Sequence, residues 1–387
     1  MKKFLDCISI VGATPSKFHG TKKYVSTGAV ATTEIDESEV VEVTYEDRPS
    51  RANLSAEAGD ILFAKMQGTR KTLLLDSETE KNIYSTGFYA VRANPEVITT
   101  ECLYYLIDSE LFLAQKDKNC SGATQKAITN GGMAKIEISV PPLSEQGILV
   151  DKLKHLTQLI ADKKKQLNLF DEIIKSRFIE MFGTLSSNEQ NFEVLTIESL
   201  CSLIKDGTHQ TPTYTEDTID GFKFLSSKDV MSTKIDWSDI KYIPLDLHEK
   251  LYAVVKPIKN DILMSKNGVN YGVAAVNDTD EVFDIYVSLA LLRPKTDIIN
   301  PVYFRSAINS PDTKRQFDSS IKGIGVPNLH LGEIKKTKIL VPPVDKQNEY
   351  VSFVEQVDKS KFYIVQMQIL LRLLIRAIQQ KTTEVLL

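Results

Sequence analysis

Cysteine is scarce. The four in 387 residues (Cys7, Cys102, Cys120 and Cys201) show no C-x-x-C spacing. They form neither a zinc motif nor a disulfide framework, so a reducing compartment, the cytoplasm, is the expectation. A surplus of charge of one sign is lacking too: 47 basic residues face 51 acidic ones, net −4. A protein that simply coats phosphates would be basic. No run of 18 apolar residues occurs, so no membrane span is expected. The opening MKKFLDCISIVG has two lysines, but Asp6 interrupts its apolar run, which argues against a signal peptide.

Catalytic signatures are missing as well. There is no G-x-x-x-x-G-K-[ST] loop and no G-x-G-x-x-G. His19, His155, His209, His248 and His330 have no i, i+4 partner, so no metal ligand set is expected. The acidic pairs Asp36-Glu37, Glu46-Asp47 and Asp171-Glu172 read as solvated surface. Two Val-Pro-Pro stretches superficially resemble the Asp/Asn-Pro-Pro-Tyr motif of amino-methyltransferases. They lack the acid or amide that would polarise the target amine. The expectation is a chain with no catalytic residues and no cofactor of its own.

What is present is a repeat. GDIL at 59–62 and NDIL at 260–263 lie 201 residues apart, as do VPP at 140–142 and VPP at 341–343. The same offset matches Lys65 with Lys266, Arg92 with Arg293, Gly122 with Gly323, Gly131 with Gly332, and Gln146 with Gln347. Several matches at one offset, in one order, indicate a duplicated unit. Cutting at the repeat gives four stretches: 1–143, 144–183, 184–343 and 344–387. The first and third are net acidic and the second and fourth slightly basic.

The second and fourth stretches have the spacing of helices. After Pro141-Pro142, a helix is expected from near Ser144 to Gly183. Leu149, Leu153, Leu156, Ile160, Lys163, Leu167, Phe170, Ile174, Arg177 and Met181 alternate steps of four and three. That is a heptad seam with two polar interruptions. Tyr350, Val354, Val357, Lys361, Ile364, Gln368, Leu371, Ile375, Ile378 and Thr382 repeat it. At 1.5 Å per residue each seam runs roughly 50 Å, longer than the roughly 34 Å of one DNA turn. Neither helix alone can bury such a stripe, so an antiparallel pair is expected. It would set Lys163 opposite Gln368, Leu149 opposite Thr382 and Met181 opposite Tyr350. The alternative is two unrelated amphipathic helices, each packed on its own domain.

The globular stretches carry strand-like runs at 59–66, 83–94, 221–227, 260–266 and 282–294, with Phe192–Leu195 opening the second unit. Segments 101–116 and 301–317 read as helical. The expected class is α+β: two tandem α/β domains with twisted sheets, each followed by a long helix.

Recognition on such scaffolds sits in loops. In the second unit these are Lys205, Thr208, His209, Gln210 and Thr211 in KDGTHQTPT, and Lys266, Asn267, Asn270 and Tyr271 in KNGVNYG, with Lys228 nearby. In the first they are Lys65, Gln67, Thr69, Arg70 and Lys71 in KMQGTRK, and Lys17, Lys22 and Lys23 in TPSKFHGTKK. Lysine and arginine suit phosphates; Gln, Asn, Thr and His suit base edges. Each loop alone reads as an ordinary turn. Corresponding loops of divergent sequence on a duplicated frame suggest two sites reading two different things.

Val140-Pro141-Pro142-Leu143-Ser144-Glu145-Gln146 and Val341-Pro342-Pro343-Val344-Asp345-Lys346-Gln347 each lead into a heptad helix. With Ser121–Gln125, Lys322–Asn328 and DGTHQTP at 206–212, this pattern resembles the specificity subunits of type I restriction–modification systems. The resemblance implies two target-recognition domains on an antiparallel coiled coil with pseudo-two-fold symmetry, reading a bipartite site in double-stranded DNA. It implies DNA adenine methyltransferase subunits docked on the helices and a separate restriction/translocase subunit. S-adenosylmethionine and ATP with Mg would belong to those partners. The rival reading is a non-enzymatic protein-interaction scaffold with two divergent binding domains.

Overall fold

The fold is given by a computed structural model that describes residues 1–230, 234–321 and 327–384, and side chains to residue 380. The chain forms two compact units: Met1–Lys165 with Ile364–Leu387, and Gln166–Tyr363. The boundaries do not follow the four stretches of the sequence, because each long helix contributes to both units.

In unit 1 a four-stranded antiparallel sheet runs in the order Ile8–Val11, Phe88–Ala93, Ile61–Ala64, Thr72–Leu74. Its central strand Ile61–Ala64 is wholly buried, which period-2 geometry explains. Ile61 and Phe63 face a core with Phe4, Leu103, Phe112 and Met133, while Leu62 and Ala64 face one with Leu73, Tyr84 and Phe88. A second mixed sheet runs Val41–Val43, Lys22–Val25, Ile83–Ser85, Ala52–Leu54. Unit 2 repeats the plan with the order Cys201–Asp206, Leu289–Pro294, Ile262–Ser265, Ala274–Val276. Ile262 and Met264 face one core and Leu263 the other.

The helical segments near 101 and 301 each break in two, as Thr100–Ile107 with Glu110–Lys118 and Pro301–Ile308 with Pro311–Ser320. The cause is a serine at equivalent positions. Ser109 Oγ accepts from the Phe112 amide and Ser310 Oγ from the Thr313 amide, so each starts a new helix.

The repeated letters prove to be repeated hydrogen bonds. Gln146 is fully buried. Its Oε1 accepts from the Thr99 amide at 2.7 Å, and its Nε2 donates to the carbonyls of Val97 and Pro141. Gln347 does the same with Asn300, Ile298 and Pro342, each 201 residues on. Both glutamines tie the first turn of a long helix to the entry of a shorter one. Likewise Arg92 chelates buried Asp60, and Arg293 chelates buried Asp261.

The long helices span Leu143–Phe182 and Val344–Glu384. The first ends at Gly183, whose φ of 69° and amide bond to Ile179 make the left-handed stop. In unit 1, Leu149, Leu153, Leu156, Ile160 and Lys163, with Ile364, Gln368, Leu371 and Ile375, are buried or partly buried. Gln368 donates to the Ile160 carbonyl at 3.4 Å, one turn from the expected Lys163. In unit 2, Leu167, Phe170, Ile174, Val354 and Val357 are likewise withdrawn from solvent. There Lys361 pairs with Asp171 and Arg177 with Glu349, which fixes an antiparallel sense. Tyr350 packs edge-on against the rings of both Phe178 and Phe182, which flank the expected Met181 in the sequence. The side chain of Thr382 lies outside the described residues.

The second long helix is more apolar than its lack of an unbroken apolar run suggested. An 18-residue window reaches a mean hydropathy of 1.3, enough by length and composition to cross a bilayer, and only 11% of that window is buried. Phe362, Tyr363, Leu370, Leu373 and Leu374 are open to solvent.

Candidate nucleic-acid interface

The sheets deliver the chosen loops to defined places. In unit 2, strands Cys201–Asp206 and Ile262–Ser265 flank Leu289–Pro294 and carry Asp206 and Lys266 to each other. Their ion pair joins the two loops proposed as readers. It also buries the Lys266 ammonium, only 5% of the residue being exposed, so this lysine holds the loops together and does not face solvent. Gly207 runs so close to the neighbouring chain that a Cβ would lie 2.2 Å from the Ile285 oxygen. Thr208 is then pinned by main-chain bonds with Ile285 and Val287. Beyond it His209, Gln210 and Thr211 are exposed, with the His209 ring 3.8 Å from Asp206.

The other loop is more constrained. Asn267 bridges Asn328. The Tyr271 hydroxyl donates to Asp318, and Lys314 lies 3.4 Å above its ring. Asn270 also has a partner. Lys205 donates to the Val254 carbonyl and Lys228 to Asp239, whose carboxylate raises the lysine pKa.

In unit 1, residues 65–71 form the tip of the hairpin Ile61–Ala64 with Thr72–Leu74. Its cations turn inward. Lys65 donates to the Thr86 carbonyl and lies 4.3 Å from the Tyr89 ring centre, and burial lowers its pKa. Arg70 grips Asp108 through two bonds of 3.1 and 2.9 Å. Lys71 donates to the Thr27 carbonyl and Gln67 to that of Asp117. Thr69 is partly buried. The other loop is looser: Lys17 is 3.8 Å from Glu46, Lys23 pairs with Glu37, and Lys22 lies over Phe18. Such exposed pairs cost little to exchange for a phosphate. This loop and the 208–217 segment leave equivalent strands: Val11 lies opposite Ala90, and Lys205 opposite Leu291.

The structure adds a segment that loop chemistry missed. Ser121 and Ala127 bridge each other and close a second tip, on which Thr124, Gln125 and Lys126 are exposed. It lies against the first, with the Gln67 amide bonded to the Lys126 carbonyl and the Ile128 amide to that of Lys65. Unit 2 repeats both bonds, from Gly268 to Pro327 and from Leu329 to Lys266. Residues 322–326 of the corresponding KGIGVPN stretch lie outside the described residues. The signal was the match of Gly122 with Gly323 at the common offset.

Among the described residues, the one buried histidine is elsewhere. His248 stacks on Phe222 and bonds Asp284 at 2.7 Å, joining helix Leu245–Tyr252 to strand Phe283–Ile285. Among the described residues, no group of three or more His, Cys, Asp or Glu could hold a metal.

The two units thus share the same internal bonds and carry different tips, which defines a duplicated scaffold. The chain matches the Type I restriction modification DNA specificity domain twice, over residues 10–169 and 189–373, and belongs to that family. It is 24% identical over 269 residues to the Type I restriction enzyme EcoBI specificity subunit of Escherichia coli, covering 63% of this chain and 56% of that one. It is also 24% identical over 288 residues to the EcoKI specificity subunit of Escherichia coli strain K12, covering 70% and 61%. The chain thus spans about three fifths of the length of these curated relatives. A solved structure concerned with complex assembly and conformational transition of the type I R-M system contains a chain with the same fold. Its TM-score is 0.58 at 20% identity, over 97% of both chains.

Proposed function

We propose that this chain is a non-catalytic DNA sequence-recognition subunit that reads a bipartite site, one half with each unit. The observation that carries the proposal is the duplication itself. The Gln clamps and Asp–Arg pairs are the same in both units, while the tips at 65–71 and 266–272 are held by different side chains. A frame kept constant under changing tips suits two different half-sites. The net charge of −4 predicts weak binding of DNA by the chain alone. Exposed Lys17, Lys22, Lys23 and Lys126 would meet phosphates, and His209, Gln210, Thr211, Thr124 and Gln125 would meet base edges.

The partners are DNA adenine methyltransferase subunits and a restriction/translocase subunit, all in the cytoplasm. The open apolar residues Leu370 and Leu373 of the second long helix, both in unit 1, are the docking surface for the methyltransferase. S-adenosylmethionine and ATP with Mg are held by the partners, which supply methyl transfer and translocation.

The test is co-expression with the methyltransferase in a methylation-free host, followed by mapping of modified adenines. A split motif with a fixed unread gap is expected, and exchange of residues 184–343 for those of a relative should change one half only. If the complex forms and the methyltransferase is competent but no motif appears, DNA reading is wrong and a protein-interaction scaffold is the better account.

A further inference from the structure

The tip at 65–71 is wound around a side chain that no motif announces. Lys116, on the helix Glu110–Lys118, is 2% exposed. Its Nζ donates to the main-chain oxygens of Met66 and Thr69, both at 2.8 Å, and lies 3.4 Å from that of Ala64. The Met66 oxygen also accepts from the Thr69 amide, so the ammonium and the turn share an acceptor. Gly68, at the apex, takes a φ of 72°.

Enclosing a charge in protein is unfavourable unless it is hydrogen-bonded. Burial accordingly lowers the Lys116 pKa, against which the Asp117 carboxylate at 3.4 Å acts. Carbonyl dipoles aimed at one nitrogen offset that cost only while the turn keeps its shape. Unit 2 solves the same problem differently. At the common offset, Lys116 corresponds to Phe317, which is also buried. Its ring underlies the second tip, where a Cβ on Gly272 would come 2.7 Å from Phe317 Cδ2. One scaffold position thus supports the first tip with a cation and the second with a ring.

We infer that Lys116 is a positioning residue that fixes the Met66–Thr69 turn and thereby decides which bases the first unit accepts. The inference rests on the DNA-reading function proposed above. Lys116 touches no DNA and acts only through the turn.

The test uses the full chain with Lys116→Met, which keeps most of the stem and deletes the charge. Amides of Gln67–Arg70 should exchange with solvent about tenfold faster, and those of Gly268–Gly272 at the original rate. In the methylation map, at least one position of one half-site should relax while the other half stays intact. Lys116→Ala leaves room for the missing atoms, so n-propylammonium should restore slow exchange at the tip and 1-propanol should not. Unchanged exchange at 67–70, or rescue by the alcohol as well as by the amine, overturns the positioning role. A loosened tip with both halves intact, or both relaxed alike, overturns the link to specificity. If the wild-type chain yields no motif, DNA reading fails separately, and the exchange and rescue measurements still decide what Lys116 does.

Discussion

Replacing Gln146 with methionine keeps the volume of the side chain and removes its three hydrogen bonds. The Thr99 amide, held at 2.7 Å, loses its acceptor inside the protein. The Val97 and Pro141 carbonyls, at 3.0 and 2.9 Å, lose a donor. An orphaned buried polar group costs about 1–3 kcal/mol. The amide has one proton and nowhere else to place it, so it should sit near the upper end. Carbonyls keep a second lone pair and should sit near the lower end. The sum is about 5 kcal/mol, or a fall in Tm of about 10–20 °C for a unit of this size. Calorimetry with hydrogen exchange would show which unit is affected. Gln146→Met should destabilise unit 1, Gln347→Met should destabilise unit 2, and the two effects should add, since the glutamines share no partner. A loss below about 1 kcal/mol in both variants would refute the clamp.

Arg293→Met should cost about 3 kcal/mol by urea denaturation, because Asp261 is buried and loses both of its guanidinium bonds; an unchanged midpoint would show that the pair is not structural. Burial pushes the thiols of Cys102 and Cys201 from 9.0 to about 12. At pH 8 only about one in ten thousand would be thiolate, so iodoacetamide should modify the partly buried Cys120 first, and equal labelling would contradict the packing. The sign for stability follows: unfolded thiols ionise from about pH 9 while the folded ones stay neutral. Stability should therefore fall as pH rises from about 9 to 12, and a flat urea midpoint over that range would count against the shift. Leu370→Lys with Leu373→Lys should abolish co-purification with the methyltransferase while leaving the Tm within about 2 °C, since both side chains are open to solvent; retained assembly would move the docking surface elsewhere.

The seams were legible because helix geometry gives burial a fixed period, and every seam residue whose side chain is described is withdrawn from solvent. Repeated Gln146 and Gln347 were visible as letters, but their role was not, since their partners lie up to 49 residues away. Cations were least legible. A lysine or arginine in a loop looks free until its carboxylate is located. Asp108 is 38 residues from Arg70, and Asp206 is 60 from Lys266. Lys116 escaped notice for a related reason: its partners are carbonyl oxygens, which every residue possesses and no motif can single out.

The division of the chain bears on the order in which it is made. Unit 2 is the continuous stretch Gln166–Tyr363, whereas unit 1 needs Ile364–Leu387 as well as its first 165 residues. A ribosome therefore finishes all of unit 2 before it supplies the last piece of unit 1. The stripe Leu149–Lys163 waits through that interval without Ile364, Gln368 and Leu371 to cover it. The half of the protein synthesised first is the half that closes last, and a nascent chain arrested near residue 363 would carry one finished unit and one apolar helix face still exposed to the cell.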